Sequence, residues 1–374
     1  MRAKAAVLYE MGQPAPYAKS KPIVIEEIEL DPPGPGEVLV QIKGAGLCHS
    51  DLSVVNGARP RALPLVLGHE AAGIVAEVGP EVHDLAAGDH VVLVFVPSCG
   101  DCVPCTEGRP ALCEPAAVAG AAGTLLTGAR RIKLNGETIN HQVGVSCFAE
   151  YAVTSRHSLV KIDKELPLDE AAIFGCAVLT GTGAVLNTGQ MRPGLSVAVV
   201  GLGGVGLNAL LAAKMVGASR LVAVDPLGDK LALARQLGAS DTFDAASDEV
   251  VDQVREATSG GVDLAFEMAG TVEAMDIAYR ITRRGGTTVS AGLSHFEHDF
   301  SLRHVGMVAE ERTIKGSYMG SAVPLRDVPR FIGLYRDGRL PIDKLISARL
   351  PLKDINAGFD RLAEGSVIRQ IVTM

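Results

Sequence analysis

Residues Ser196–Gly206 read SVAVVGLGGVG, an apolar run passing directly into glycines at 201, 203 and 206. That GxGxxG spacing allows a tight turn and lets a backbone approach a pyrophosphate at a helix N-terminus. Alone it is a weak signal. Here Leu221–Asp225, LVAVD, supplies a second strand whose terminal acid lies 19 residues beyond Gly206. An acid there is placed to bond the adenosine ribose hydroxyls and to repel a 2′-phosphate. Pro226, Leu227 and Gly228 offer no arginine to receive such a phosphate, and Lys230 lies within reach of the ribose. The pattern favours NAD over NADP, with Gly201, Gly203, Gly204, Val205, Gly206, Asp225 and Lys230 as the cofactor-binding candidates.

Apolar runs at Ser196–Val200, Leu221–Asp225, Val262–Glu267 and Gly286–Ala291 alternate with helical runs at Gly206–Val216, Asp229–Leu237, Asp248–Ala257 and Val272–Arg280. Such alternation predicts βαβ units in a parallel, doubly wound sheet. Before about Asp169 the texture differs. Short candidate strands at Ile23–Leu30, Glu37–Ala45 and Gly73–Val78, broken by Gly and Pro, suggest an antiparallel β module. Residues 97–150 read as irregular. A length of 374 residues fits two domains. With no Trp and 4% aromatics, the core is expected from Ala, Val, Leu and Ile. A net charge of −8 without a basic run argues against a nucleic-acid partner. Leu195–Ala213 is the most span-like stretch, but its character changes halfway, as a strand, turn and helix start would. No targeting segment is visible, so a soluble cytoplasmic protein is expected, with no membrane partner.

Seven cysteines, an odd number, argue against a disulfide framework. Four of them, Cys99, Cys102, Cys105 and Cys113, cluster at CxxC-type spacing. Four thiolates with no slot for water describe a closed structural zinc site, although spacing alone also admits an iron–sulfur cluster. Cys48 in GLCHSD, His69 in GHE and Cys176 in FGCAVLTG form a second possible set. Two thiolates and one imidazole would leave a fourth metal position open. Cys147 reads as a packed thiol, and His295, His298 and His304 as ordinary loop residues.

Together, GLCHSD, GHEAAG, the four-cysteine lobe, GCAVLTG, the Rossmann glycines and the ending IRQIVTM resemble the zinc-dependent medium-chain alcohol dehydrogenases, of the two-zinc type, over essentially the whole chain. The resemblance implies an α/β protein: a partly β, GroES-like catalytic domain (1–177, with a zinc lobe at 97–115), a Rossmann NAD domain (178–318), and a C-terminal return (319–374). It implies two zinc ions per subunit. Cys48, His69 and Cys176 would hold the catalytic one, with Glu70 behind it as an acid able to coordinate transiently. Asp51 would orient His69, and Ser50 would take the alcohol proton. His49 and Arg369 match positions that contact the cofactor pyrophosphate, and Thr180 and Val205 match residues that press on the nicotinamide ring. The implied substrate pocket is Phe95, Val118, Val143, Phe148 and Leu293, which suits medium aliphatic or aromatic alcohols.

There are departures. Many relatives carry a histidine at the outer end of the proton relay where this chain has Ser53, which leaves water as the candidate final acceptor. Ala117, Gly57 and Arg59 stand where glutathione–formaldehyde relatives carry other residues. The expected function is therefore reversible oxidation of primary or secondary alcohols to aldehydes or ketones, with a small alcohol or aldehyde as substrate. Polyol, amino-acid or glutathione-linked oxidation on the same scaffold is the alternative. A zinc hydrolase or lyase, or a non-catalytic cofactor-binding protein, ranks lower, since the cofactor fingerprint argues against the first and the intact ligand set against the second. The long 116–141 stretch implies, by resemblance, a homodimer.

Overall fold

The computed structural model describes all 374 residues, which divide into two compact units. One comprises residues 1–176, 323–329 and 343–374, and the other residues 177–322 and 330–342.

The first unit is mostly β. Arg2–Leu8, Ile23–Leu30, Ile132–Leu134, Glu137–His141 and Leu65–Val66 close into a small barrel. A second, seven-stranded sheet runs Leu159–Ile162, His90–Leu93, Ala71–Val78, Glu37–Leu47, Arg369–Thr373, Ile346–Pro351, with Tyr151–Ser155 also paired to Glu37–Leu47. Its central strand, EVLVQIKGAGL, exposes only Lys43 and is otherwise buried or half-buried. That pattern marks a strand covered on both faces. The C-terminal strand pairs antiparallel with it, setting Ile371 opposite Gly46 and Gln370 opposite Leu47. This pairing brings the last residues of the chain to the place where Cys48 begins the next helix.

The second unit carries six parallel strands in the order Asp241–Asp244, Arg220–Asp225, Ser196–Val200, Val262–Glu267, Thr282–Ser290, Thr313–Gly316. In chain order this is 3-2-1-4-5-6, the doubly wound dinucleotide-binding arrangement. Helices Gly204–Val216, Gly228–Leu237, Val250–Ala257 and Val272–Ile281 alternate with the strands. Val200, Val222, Val224, Val254, Ala265 and Ile281 form part of its core.

Several sequence expectations are refined. The two edge strands, DTFD and TIKG, escaped notice because they are short, polar and half-exposed. The stretch read as irregular contains a helix, Glu114–Ala122, and the hairpin Ile132–Leu134/Glu137–His141. The core is not purely aliphatic: Phe148, Phe174, Phe266, Phe331 and Phe359 are among the largest fully buried side chains. The span-like stretch is a strand and a helix start, and no single helix is long and apolar enough to cross a membrane.

Candidate metal centres and cofactor cradle

Three places in the first unit converge. Strand Glu37–Leu47 delivers Cys48, still extended (φ −128°, ψ 151°), as the N-cap of helix His49–Val55. Gly68 turns the chain into His69 and Glu70 with φ +102°. A Cβ there would lie 2.5 Å from Phe148 N and 2.8 Å from Cys147 Sγ, so only glycine fits. The amide of Gly46 donates to the carbonyl of Glu70 at 2.8 Å, which locks the two segments in register. Cys176 follows the short turn Ala172–Gly175. The ligand atoms of Cys48, His69, Glu70 and Cys176 all lie within 4.8 Å of one another, and all four residues are buried.

The chemistry of this set fits a divalent cation. His69 Nδ1 meets Asp51 Oδ1 at 2.8 Å; against a carboxylate Nδ1 is the donor, so in the neutral ring Nε2 carries the lone pair. That Nε2 is buried without a hydrogen-bond partner, an arrangement that is costly unless something else binds it. A hydrogen bond from Cys176 pulls the Cys48 thiol well below its ordinary pKa, against the burial that opposes ionisation. The same bond, with burial, pushes Cys176 well up. Protein groups alone thus favour one thiolate, and a cation is what a second thiolate beside a neutral imidazole requires. Glu70 is held from behind. Arg369 Nη2 donates to both its carboxylate oxygens (2.8 and 2.5 Å), and Nη1 donates to Leu47 O at 2.9 Å. Both side chains are at most 3% exposed. The sequence reading assigned Arg369 to the cofactor; its engagement with Glu70 is a role that reading missed.

The second set is the lobe. Cys99, Cys102, Cys105 and Cys113 also bring their sulfurs within 4.8 Å, and none is in a disulfide. The Cys99 and Cys105 sulfurs are 3.9 Å apart. Four thiolates around zinc at about 2.3 Å would be spaced by about 3.8 Å. Backbone amides of Cys99 and Cys102 donate to Cys113 Sγ and Cys99 Sγ, each at 3.3 Å. The Cys102 amide is the main reason the Cys99 thiol falls to about 7, whereas burial lifts Cys105 to about 12.

In the second unit, the three fingerprint glycines do different work. Gly201 has φ +92°, and a Cβ on it would meet Ala269 N at 2.6 Å. Gly206 admits no side chain because Gly201 O would lie 1.8 Å away. Gly203 faces open space just before helix Gly204–Val216, where a phosphate could approach the helix N-terminus. Asp225 is 4% exposed, and it accepts from Leu202 N (2.7 Å) and Leu227 N (3.0 Å). A further buried acid, Glu267, was not singled out from sequence. It accepts from Ala269 N (2.8 Å), Gly270 N (2.6 Å) and Ser290 Oγ (2.7 Å), and so braces the turn against which Gly201 packs.

The other expected residues fall as follows. Ser50 is half-buried and His49 exposed at the start of helix His49–Val55, and Ser53 Oγ donates to His49 O at 2.8 Å. Thr180 is buried in helix Ala177–Gly183, and Val205 and Lys230 are half-buried. Of the pocket set, Phe95 stands edge-on to His69 with ring centroids 5.3 Å apart. Val143 is half-buried with φ +45°. Phe148 is instead a core residue, fully buried and edge-on to Phe359. Val118 and Leu293 are 71% and 51% exposed. The structure therefore brings Phe95 to the metal group and gives Phe148 a packing role.

Comparison with known proteins agrees with this geometry. Residues 34–164 match the alcohol dehydrogenase GroES-like domain and residues 204–335 the zinc-binding dehydrogenase family. The chain is 39% identical to the NDMA-dependent alcohol dehydrogenase of Amycolatopsis methanolica, covering 100% of this chain and 99% of that one. It is 38% identical to the class-3 alcohol dehydrogenase of Drosophila melanogaster, covering 99% and 97%. Among solved structures, benzyl alcohol dehydrogenase from Acinetobacter calcoaceticus superposes with a TM-score of 0.92 at 31% identity, over 100% of this chain and 99% of that one.

Proposed function

Because the chain belongs to the zinc-binding medium-chain alcohol dehydrogenases, we propose that it oxidises primary or secondary alcohols reversibly, with NAD as hydride acceptor. The observation that carries this reading is the unpartnered Nε2 of His69, buried among two thiols and the carboxylate of Glu70. Zinc held there by Cys48, His69 and Cys176 would supply a Lewis acid for the alcohol oxygen. NAD held on the glycine turn would supply the hydride acceptor. Asp51 keeps the imidazole in the tautomer that presents Nε2. Ser50 carries the hydroxyl proposed to take the alcohol proton, and with Ser53 in the relay the proton leaves to water. Arg369 neutralises Glu70, so that a third anion does not compete with the two thiolates in a buried site.

The apolar edge of Phe95 beside His69 supports medium aliphatic or aromatic alcohols. We take the compartment to be the cytoplasm, on the reading that six of the cysteines hold metal and Cys147 is a packed thiol. A homodimer is the proposed assembly, to be read from the mass in solution.

The test is a panel of alcohols and aldehydes with NAD and with NADP, read by absorbance of the reduced cofactor, before and after a chelator. Chelator-sensitive, NAD-linked turnover of primary alcohols is expected. Turnover confined to polyols, amino acids or the glutathione adduct of formaldehyde would move the reading to the alternative class. No turnover with any of them, despite NADH binding, would overturn it.

Cofactor choice has its own check. Asp225→Ser should raise KM for NAD, because both amide contacts and the ribose acceptor are lost. It should also shift the NADP-to-NAD preference toward NADP by on the order of tenfold or more, as the charge facing a 2′-phosphate disappears. An unchanged preference would remove Asp225 from the cofactor site.

A further inference from the structure

We propose that Gln142 is a positioning residue for the open metal site, clamping the carboxylate of Asp51 and the turn that carries His69 with one buried amide. The inference rests on the reading of Cys48, His69 and Cys176 as metal ligands.

Gln142 is 4% exposed. Its Nε2 donates to Asp51 Oδ1 at 3.0 Å, the same oxygen that meets His69 Nδ1. Its Oε1 accepts from Gly68 N at 2.5 Å. The orientation of the amide is dictated by its partners, since a carboxylate can only accept and a backbone N–H can only donate. The backbone of Gln142 is itself pinned: its N–H donates to Ser146 Oγ at 2.9 Å, and Ser146 Oγ donates to Val66 O at 2.9 Å. The Gln142 side chain thus ties the tautomer-fixing acid to the amide of Gly68, the residue before His69, and its backbone, through Ser146, anchors both to the strand end at Val66.

The other oxygen of Asp51 is buried without a partner. The Gln142 and His69 contacts, both on Oδ1, are therefore the hydrogen bonds that hold this side chain in place. Without Gln142 the carboxylate could rotate about its terminal bond toward a new donor, and the imidazole would lose its fixed plane. Loss of such outer partners typically costs about 10–100-fold in metal affinity.

The experiment compares zinc release from wild-type protein and Gln142→Met, a change of similar shape that removes both polar contacts. Release is followed with a chromophoric chelator. The slowly released zinc of the four-cysteine lobe serves as the internal control for an intact fold. The open site is also loaded with cobalt(II), whose absorption reports ligand geometry. In Gln142→Met, zinc of the open site should leave about 10–100-fold faster. The cobalt bands should shift, while lobe zinc leaves at the wild-type rate. Should that variant fail to fold, Gln142→Glu decides, because it keeps an acceptor for Gly68 N but cannot donate to Asp51 as a carboxylate. Wild-type release rates and an unchanged cobalt spectrum in a folded variant would overturn the role of Gln142. Wild-type protein that retains metal in the lobe alone would instead sink the reading of the open site.

Discussion

Cys176→Ser should lower turnover by on the order of 10³-fold or more while leaving a folded protein with about one zinc. The Lewis acid supplies several kcal/mol to the transition state, and each 1.36 kcal/mol lost is about tenfold in rate. Cys176 is one of two sulfurs in the open set, and serine replaces a soft, ionisable ligand with a weak hard one. Nothing else should fall. The residue sits between a short turn and a helix, and no strand pairing depends on its sulfur. Cys102→Ser should behave in the opposite way. Four sulfurs organise a lobe whose helical segments are short, Val103–Thr106 and Pro110–Leu112, so metal binding there is folding energy. Metal content, circular dichroism and specific activity of the two variants check the contrast. Full activity in Cys176→Ser would show that the site is wrongly assigned.

Gly68→Ala, which replaces one hydrogen by a methyl group, should be nearly as damaging. A φ of +102° is outside what an L side chain adopts readily, which costs about 1–3 kcal/mol. The added carbon would also press on Phe148 N, and that atom cannot retreat. Phe148 N donates to Leu67 O at 2.9 Å, and Cys147 N donates to Gly68 O at 3.1 Å, so two hydrogen bonds hold the opposing backbone. Overpacking of this kind costs about 1–3 kcal/mol more. The expected outcome is a lowered unfolding midpoint together with depleted open-site zinc, because His69 is the next residue. A variant with wild-type thermal stability and full metal content would show that the turn is softer than its contacts indicate.

What could be read from the chain alone depended on whether the cause was local. The strands Ser196–Val200 and Val262–Glu267 were legible to the residue because central parallel strands are buried on both faces and show as mainly apolar runs, interrupted in the second only by Asp263 before its terminal acid. The edge strand Thr313–Gly316 has one covered side at most, and its TIKG sequence carries no such mark. The glycine fingerprint was legible because turn, phosphate approach and helix packing all act within a few residues. The metal ligands were legible only through resemblance, since nothing in Cys48, His69 or Cys176 taken singly separates a ligand from a core residue. Gln142 was not legible at all. Its partners lie 74 and 91 residues away, and a lone Gln in HQVGVSC has no period or motif to betray it. Phe148, which the resemblance puts in the substrate pocket, is fully buried edge-on to Phe359, a contact between distant segments that no local pattern shows.

The pairing of Arg369 with Glu70 spans 299 residues, and this has a consequence for biosynthesis. At about 5–20 residues per second, a ribosome needs roughly 15–60 s to make the arginine after it has made the glutamate. Through that interval Cys48 and His69 have already been made, while Cys176 arrives only partway through it. The nascent chain therefore offers an incomplete and unneutralised ligand set to whatever soft metal is at hand. The open set and its neutralising arginine are complete only once strand Arg369–Thr373 has paired with Glu37–Leu47 and brought the guanidinium to the carboxylate.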